Sequence, residues 1–449
     1  MSKKAYEWLF PGLSLLLFVT LLGAMLVETN SMSMGTLISY STGLLAYTMM
    51  LVVTFIGSRP RFIEKNFGMP EMYEVHALMS VVLSILVVIH MVLQFGGFRN
   101  VLNMSIVSQT GYIAVVSLII VMLTGIFSLS GLFVSNNKKL REFKEKKVNR
   151  EISLWLHRLA IVAIIAVYFH LYYLPFLRNN TVFMTLLTVY TVATLGFYAY
   201  WKIKIQTSPM YQVSKIYRGT PTLWVLEFEP VNKTLMRYTA GDYFFIRFKG
   251  DADITKEGHP FSTSSAITAR YKNSIEFMIK EAGDWTGALK NIKVGDKAQL
   301  EGPYGHFMPQ HVEYSNEEEV PFILLAGGIG LTPNLSVLRH EIEKKSQRRI
   351  FLVWGLSYKE DMFMVDELEE MTKINPNFTY HIIFSNEEVE GYPFGFITDK
   401  FLQEIGAAEF YQTGEFFVCG PPPMLNATRT LIRNVNIPEE HVHLDDFGF

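Results

Sequence analysis

Cysteine is nearly absent from this 449-residue chain, and Cys419 is the only one. One thiol cannot build a disulfide framework, hold an iron–sulfur cluster on thiolates or form a zinc knuckle. Any redox metal must be held by something else, and histidine is the candidate. Charge of one sign is also missing, since the net charge is −2. No global field favours nucleic acid, and none is expected as a partner. No calcium-binding loop, internal repeat or extra cytosolic module is visible, so no obligatory protein activator is expected.

What the chain has is apolar length. It is 49% hydrophobic, with mean hydropathy +0.20. Six segments before Lys202 are long enough to span a bilayer: Leu9–Val27, Ile38–Ile56, Val75–Phe95, Tyr112–Phe133, Ile152–Phe176 and Val182–Trp201. The first is read as a spanning helix, because no small-residue cleavage site follows it. Lys and Arg collect in alternate loops: Lys3 and Lys4, then Arg59, Arg61 and Lys65, then seven basic residues within Ser135–Arg150, then Lys202 and Lys204. The other loops hold only Arg99 and Arg178. The positive-inside bias therefore predicts a multi-pass protein of the cell membrane with both termini in the cytoplasm and lipid as its surroundings.

This apolar half contains four histidines: His76 and His90 in the third segment, His157 and His170 in the fifth. Ionisable side chains at membrane depth are costly and usually functional. At about 1.5 Å per residue each pair spans roughly 20 Å, two-thirds of a hydrocarbon core about 30 Å thick. Two such helices side by side offer one histidine pair near each face. Facing imidazoles are axial ligands for haem iron, so two pairs suggest two stacked haems. His76 and His157 fall near the cytoplasmic side, His90 and His170 near the outer side. Fourteen residues at about 100° return to nearly the same face, but thirteen land about 140° away. The fifth helix must bend, tilt or overwind between its histidines, or its haems must be approached from different sides.

After Thr207 the texture changes. Short β-rich runs ("YQVSKIY", "TLWVLEFEP", "DYFFIRF", "SIEFMIK") broken by Gly, Pro and Asp predict an antiparallel β-barrel. From Val320 strands and helices alternate, the rhythm of an α/β parallel sheet. The domains expected are 1–207, 208–315 and 316–449.

Four motifs carry chemistry. In "HPFSTSS" the Phe261 ring can lie on a flat heterocycle, and Ser262 can hydrogen-bond a ring nitrogen. Alone, it equally fits a β-turn with a buried aromatic. In "GDWT" (Gly283, Asp284, Trp285, Thr286), Gly283 allows close backbone approach and Thr286 can cap a helix starting near Gly287, whose N-terminus suits a pyrophosphate. "EGPYG", at Glu301–Gly305, reads as a turn. "GGIGLTP" ends a strand with Gly327, Gly328 and Gly330, then opens a helix with Thr332 as N-cap and Pro333 as first residue. It is not GxGxxG, and many α/β proteins have such a turn. "CGPPPM" (Cys419, Gly420, Pro421, Pro422, Met424) ends the last strand of the run in the same way.

In this order the motifs resemble the ferredoxin–NADP reductase superfamily over Pro209–Phe449. With the histidine-bearing helices ahead of them, the whole chain resembles the NADPH oxidase and ferric reductase family, bacterial type. The resemblance implies a six-helix transmembrane domain followed by flavin and nucleotide domains. It implies that His76/His157 hold an inner and His90/His170 an outer b-type haem. His259, Pro260, Phe261, Ser262 and Thr263 with the "GDWT" residues would bind FAD. The "GGIGLTP" and "CGPPPM" residues would bind NAD(P)H, with Cys419 beside the nicotinamide and Phe449 shielding the flavin face. Two departures stand out. "WGLSYKE" has Ser357 and Lys359 but no arginine for a 2′-phosphate, and Gln94 stands one turn past His90 where animal-type oxidases tend to place a histidine.

The expected activity is outward electron transfer from NAD(P)H to a small-molecule acceptor, O2 giving superoxide or, alternatively, a ferric chelate. A haem-free membrane flavin reductase serving a soluble partner is the reading of another class, and a channel or transporter is the third.

Overall fold

The computed structural model describes residues 3–27, 32–95, 105–126, 150–250, 253–313 and 320–445. The basic stretch 135–149 and the C-terminal Phe449 lie outside these residues. The chain divides into two compact units near Gln206.

The first unit is helical. Among the described residues six helices are long and apolar enough to cross a membrane: Trp8–Val27, Met34–Gly57, Met69–Gln94, Ile106–Thr124, Ile152–Tyr172 and Thr181–Gln206. Ser33 caps the second, its Oγ accepting from Thr36 N, and Ser105 caps the fourth through Ser108 N. Their outward faces are apolar: Leu78 is 65% exposed and Val92 67%. A surface of that kind is a liability in water and at home in lipid. The second helix packs along the third, and the fourth along the fifth. Polar groups inside pair across helices, as where the Tyr47 hydroxyl meets Thr191 Oγ1 at 2.7 Å.

The fifth helix is interrupted. Arg150–His157 ends at Arg158, and Leu159–Tyr172 begins beyond it. At the junction Arg158 N donates to Trp155 O and Ile161 N to Arg158 O, both across three residues. A 3₁₀ turn advances about 120° per residue instead of about 100°. At about 20° extra per residue, this turn supplies roughly 60° of the about 140° that the thirteen-residue spacing leaves between the two histidines.

In the second unit β1 (Met210–Thr220), β2 (Leu223–Pro230), β3 (Tyr243–Phe248), β4 (His259–Ser262), β5 (Ile275–Lys280) and β6 (Lys297–Tyr304) form an antiparallel sheet in the order β4-β3-β6-β1-β2-β5. The barrel expected from the sequence is not closed. Its edges β4 and β5 meet only at the isolated Thr263–Phe277 bridge. "HPFS" is itself the edge strand β4, and "EGPY" is the end of β6 rather than a turn. Aromatics from its inner face fill the core, with Tyr211, Phe228, Phe244 and Phe277 fully buried.

The rest is a parallel sheet of β7 (Phe322–Gly327), β8 (Ile350–Leu356), β9 (Phe378–Phe384), β10 (Glu415–Cys419) and β11 (Val442–Asp445), in the order β11-β10-β7-β8-β9. Its central strands are buried on both faces and read as continuous apolar runs, as parallel strands do.

Candidate functional site

The four histidines of the helical unit meet in two pairs. The His76 and His157 ring centres lie 6.1 Å apart, and those of His90 and His170 6.5 Å apart. Each Nδ1 faces a main-chain carbonyl of a neighbouring helix: His76 to Val53 at 3.1 Å, His90 to Ser39 at 2.7 Å, His157 to Val121 at 3.2 Å and His170 to Val107 at 2.8 Å. A carbonyl only accepts, so Nδ1 carries the proton and donates. In the neutral ring that leaves the Nε2 lone pair for another partner. Among the described residues no group of three or more His, Cys, Asp or Glu side chains gathers as a metal cage.

In the second unit, "HPFS" and "GDWT" come together although their first members are 24 positions apart. Trp285 stacks on Phe261 (5.3 Å, 27°) and lies 4.7 Å from the His259 ring. One face of Phe261 is thus taken by protein, not open as the sequence suggested. Among the described residues Trp285 Nε1 has no hydrogen-bond partner although it is buried, a donor left over in the segment expected to hold a cofactor. The helix here is a single turn, Asp284–Gly287, beginning before the predicted Gly287. Thr286 is inside it and accepts from Ala282 N and Gly283 N, so Thr286 ties the preceding loop instead of capping a helix beyond it. One turn carrying Asp284 is a poor pyrophosphate seat, because the aligned peptide dipoles of a longer helix are missing.

Past Phe261 the polar run turns inward. Ser262 Oγ donates to Asp445 Oδ2 at 3.1 Å, and Thr263 N and Oγ1 both donate to Asp242 O. Asp445 closes β11, and its register partner across β10 is Cys419. Asp445, which the sequence reading did not single out, thus ties Ser262 to the strand end that carries Cys419, 157 residues further along the chain. The signal available was the acid directly after the strand-like "HVHL".

The two glycine turns pack on each other. A Cβ at Gly330 would collide with the Cys419 carbonyl, one at Gly327 with Met424 and Pro421, and one at Gly420 would stand 2.6 Å from Met424 Sδ. Gly328 has φ +53°, a conformation that favours glycine. The helix begins at Leu331, after a 3₁₀ turn over Gly328–Gly330. Thr332 is hence inside its first turn, donating Oγ1 to Ile329 O rather than acting as N-cap. Pro333 is the third helical residue, still within the turn where no N–H is needed. Pro421 caps the helix Pro422–Asn434, placing Pro422 at its start. Both turns lie at the carboxyl ends of β7 and β10, where open α/β sheets bind ligands.

A buried ion cluster joins the two sheets. Arg339, on the helix that opens with Leu331, donates to Glu276 on β5 at 2.7 Å, to Ser264 O and, in a fork, to both Glu367 oxygens. Burial pushes the Glu367 carboxyl up, but the Arg339 hydrogen bonds and charge outweigh it and hold the group below its ordinary value. Ser336 Oγ reaches Ser265 O, and Lys280 pairs with Asp361 at 2.6 Å. These contacts fix the glycine turns relative to β4.

Comparison with known proteins agrees with that layout. Residues 225–318 match the family described as "FAD-binding domain", and 324–430 match "Oxidoreductase NAD-binding domain". The propane 2-monooxygenase reductase component of Rhodococcus jostii is 31% identical over 251 residues, 53% of this chain and 62% of that protein. A component of the Na(+)-translocating NADH-quinone reductase of Idiomarina loihiensis is 27% identical over 37% of this chain and 41% of that one. Less than two thirds of either relative is therefore spanned. Among solved structures, the Amycolatopsis cytochrome P450 reductase GcoB aligns with TM-score 0.47 and 20% identity over 54% of this chain and 71% of that one. The second unit is thus an oxidoreductase with an FAD-binding and an NAD-binding domain.

Proposed function

We propose that this flavin-dependent NAD(P)H oxidoreductase of the ferredoxin reductase type spans the cell membrane and passes electrons through two b-type haems to O2 on the outer face, forming superoxide. One NAD(P)H supplies two electrons and so reduces two O2, releasing one proton on the cytoplasmic side. The observation that carries this reading is the spacing of the histidine rings. A metal–imidazole bond of about 2.0–2.1 Å, plus about 1.1 Å from nitrogen to ring centre, separates two ring centres by about 6.3 Å across one metal ion. The pairs stand at 6.1 and 6.5 Å. Two donors do not satisfy a bare transition metal, so the remaining ligands must come with the group, as a porphyrin brings them.

FAD, when bound, accepts a hydride and gives up single electrons, and haems, when bound, carry those electrons one at a time. The protein's part is placement. His76 with His157 and His90 with His170 would hold one iron toward each face of the membrane. The alternating basic loops keep both termini, and hence the NAD(P)H site, in the cytoplasm. His259, Phe261 and Trp285 offer an aromatic seat beside the flavin. Ser262, held by Asp445, presents its hydroxyl to the ring edge. The two turns that Gly327, Gly330 and Gly420 let pack together, with Cys419 at their junction, would seat the nicotinamide, and Phe449 is the residue assigned to cover the flavin face. NADH suits the nucleotide site better than NADPH. Beyond β8 and β9 the chain offers Lys359, whose N–H donates to Glu387 at 2.8 Å, and the acids Glu360 and Glu388, but no arginine. A 2′-phosphate would meet net negative charge there.

Purified full-length protein from haem-replete expression should show a Soret band, two haems per flavin, and NADH-driven superoxide without an added protein. A yellow protein lacking that band would leave the haem-free flavin reductase. Ferric-chelate reduction with no superoxide would replace O2 by iron as acceptor.

A further inference from the structure

Each histidine that meets a partner also meets a glycine. The carbonyls that accept the Nδ1 protons belong to Ser39, Val53, Val107 and Val121. Four residues beyond each, in the same order, stand Gly43, Gly57, Gly111 and Gly125. An ideal Cβ at Gly43 would lie 2.7 Å from His90 Nδ1, one at Gly57 3.2 Å from His76 Cε1, one at Gly111 3.2 Å from His170 Nδ1, and one at Gly125 3.5 Å from His157 Cε1. The second and fourth helices, which carry none of the histidines, thus repeat one device four times at matched fourteen-residue intervals.

The physical reason lies in helix geometry. A helical carbonyl at position i points toward residue i+4, whose N–H it accepts. The side chain at i+4 therefore shields that oxygen from the flank. Only glycine leaves the oxygen's second lone pair open to a ring arriving from a neighbouring helix.

We propose that Gly43, Gly57 and Gly111 are positioning residues for the haem ligands, each opening one carbonyl that fixes the tautomer and plane of one imidazole, while Gly125, where a methyl group has ordinary space, shares the pattern without that constraint. The inference rests on the haem reading and goes beyond it, because it assigns ligand control to two helices that supply no ligand. Outer-shell partners of metal-bound histidine change metal affinity by about 10–100-fold when lost. The contact distances also rank the positions. Gly43 has no room for a methyl group, Gly57 and Gly111 have room only if the ring yields by a few tenths of an ångström, and Gly125 has ordinary van der Waals space.

A glycine kept only for close helix packing would behave differently. In the helix interior alanine is favoured over glycine by about 0.8–1.0 kcal/mol. Gly196, with nothing within 4 Å of its would-be Cβ, is the matched control. The test is performed on the full chain in detergent, with Gly43→Ala, Gly57→Ala, Gly111→Ala, Gly125→Ala and Gly196→Ala. Haem per flavin is read by pyridine haemochrome, and ligand geometry by the low-spin ferric EPR signal. Gly43→Ala should lose about half of the haem per flavin, consistent with one weakened site. Gly57→Ala and Gly111→Ala should keep their haem but each shift one low-spin signal, while Gly125→Ala and Gly196→Ala match the native protein. If Gly43→Ala does not fold, the shifted signals of Gly57→Ala and Gly111→Ala decide the question. Native haem content and unshifted signals in all the variants that fold would overturn the proposal while leaving the haem reading intact. Absence of haem from the native protein would overturn both.

Discussion

The two units disclose their chemistry in opposite ways. In the spanning helices charged residues are scarce, so four histidines stand out and their spacing along a helix becomes a distance. In the second unit polar residues are common, each motif is generic, and meaning comes from what the sheets bring together. Ser262, Cys419 and Asp445 form no pattern in the sequence, yet strand register gathers them. A rare residue in a plain background is informative alone; a common one needs topology.

The difference can be broken most sharply at the histidines. Replacing any one of His76, His90, His157 or His170 by alanine should remove one haem and abolish superoxide formation. NADH-driven reduction of a soluble dye at the flavin should persist, because the second unit has its own core. Loss of dye reduction in step with haem would show that the units do not work separately.

The next largest effect is expected at Arg339. Replacing it by leucine leaves Glu276 buried without its partner, which costs about 3–5 kcal/mol in comparable buried pairs. Thermal unfolding of the second unit should fall accordingly, with haem content unchanged. Acid sharpens this test. The Glu367 carboxyl is held below its ordinary value of 4.5, so its stabilising contribution is complete above that value and is lost as pH falls through the lower folded value. The gap between native and Arg339→Leu melting temperatures should narrow below about pH 4.5 and stay constant above it.

Smaller effects belong to single hydrogen bonds. Ser262→Ala removes the hydroxyl that Asp445 holds beside the proposed flavin seat. A loss of about 1–2 kcal/mol predicts roughly 5–30-fold slower dye reduction, with KM for NADH little changed. Glu387→Gln should raise kcat/KM for NADPH several-fold relative to NADH, in line with about 1 kcal/mol of relieved repulsion. An unchanged ratio would place the 2′-phosphate elsewhere.

Much of the architecture is written in local pattern. Six apolar runs give six helices among the described residues, and the alternation after Val320 gives the parallel sheet, whose spatial order β11-β10-β7-β8-β9 departs from chain order. What the pattern misses has specific causes. The interruption at Arg158 carries neither proline nor glycine, so no local signal marks it; only the mismatch of thirteen against fourteen residues does. "EGPYG" looks like a turn because glycine and proline usually make one, yet its first four residues belong to β6, the strand that pairs with β3. The flavin-side sheet stays open because its edges touch through one bridge, and no composition reports on closure. Arg339 and Glu276 are 63 residues apart, and neither sits in a motif. The glycines of the second and fourth helices are legible only after the histidines are placed in space.

The most direct measurement is an anaerobic titration of the purified full chain with NADH, followed by oxygen, with flavin and haem absorption recorded together. The account predicts flavin bleaching, reduction of two haems per flavin, and reoxidation of both when oxygen enters. Bleaching of flavin with no haem band at any point would contradict it.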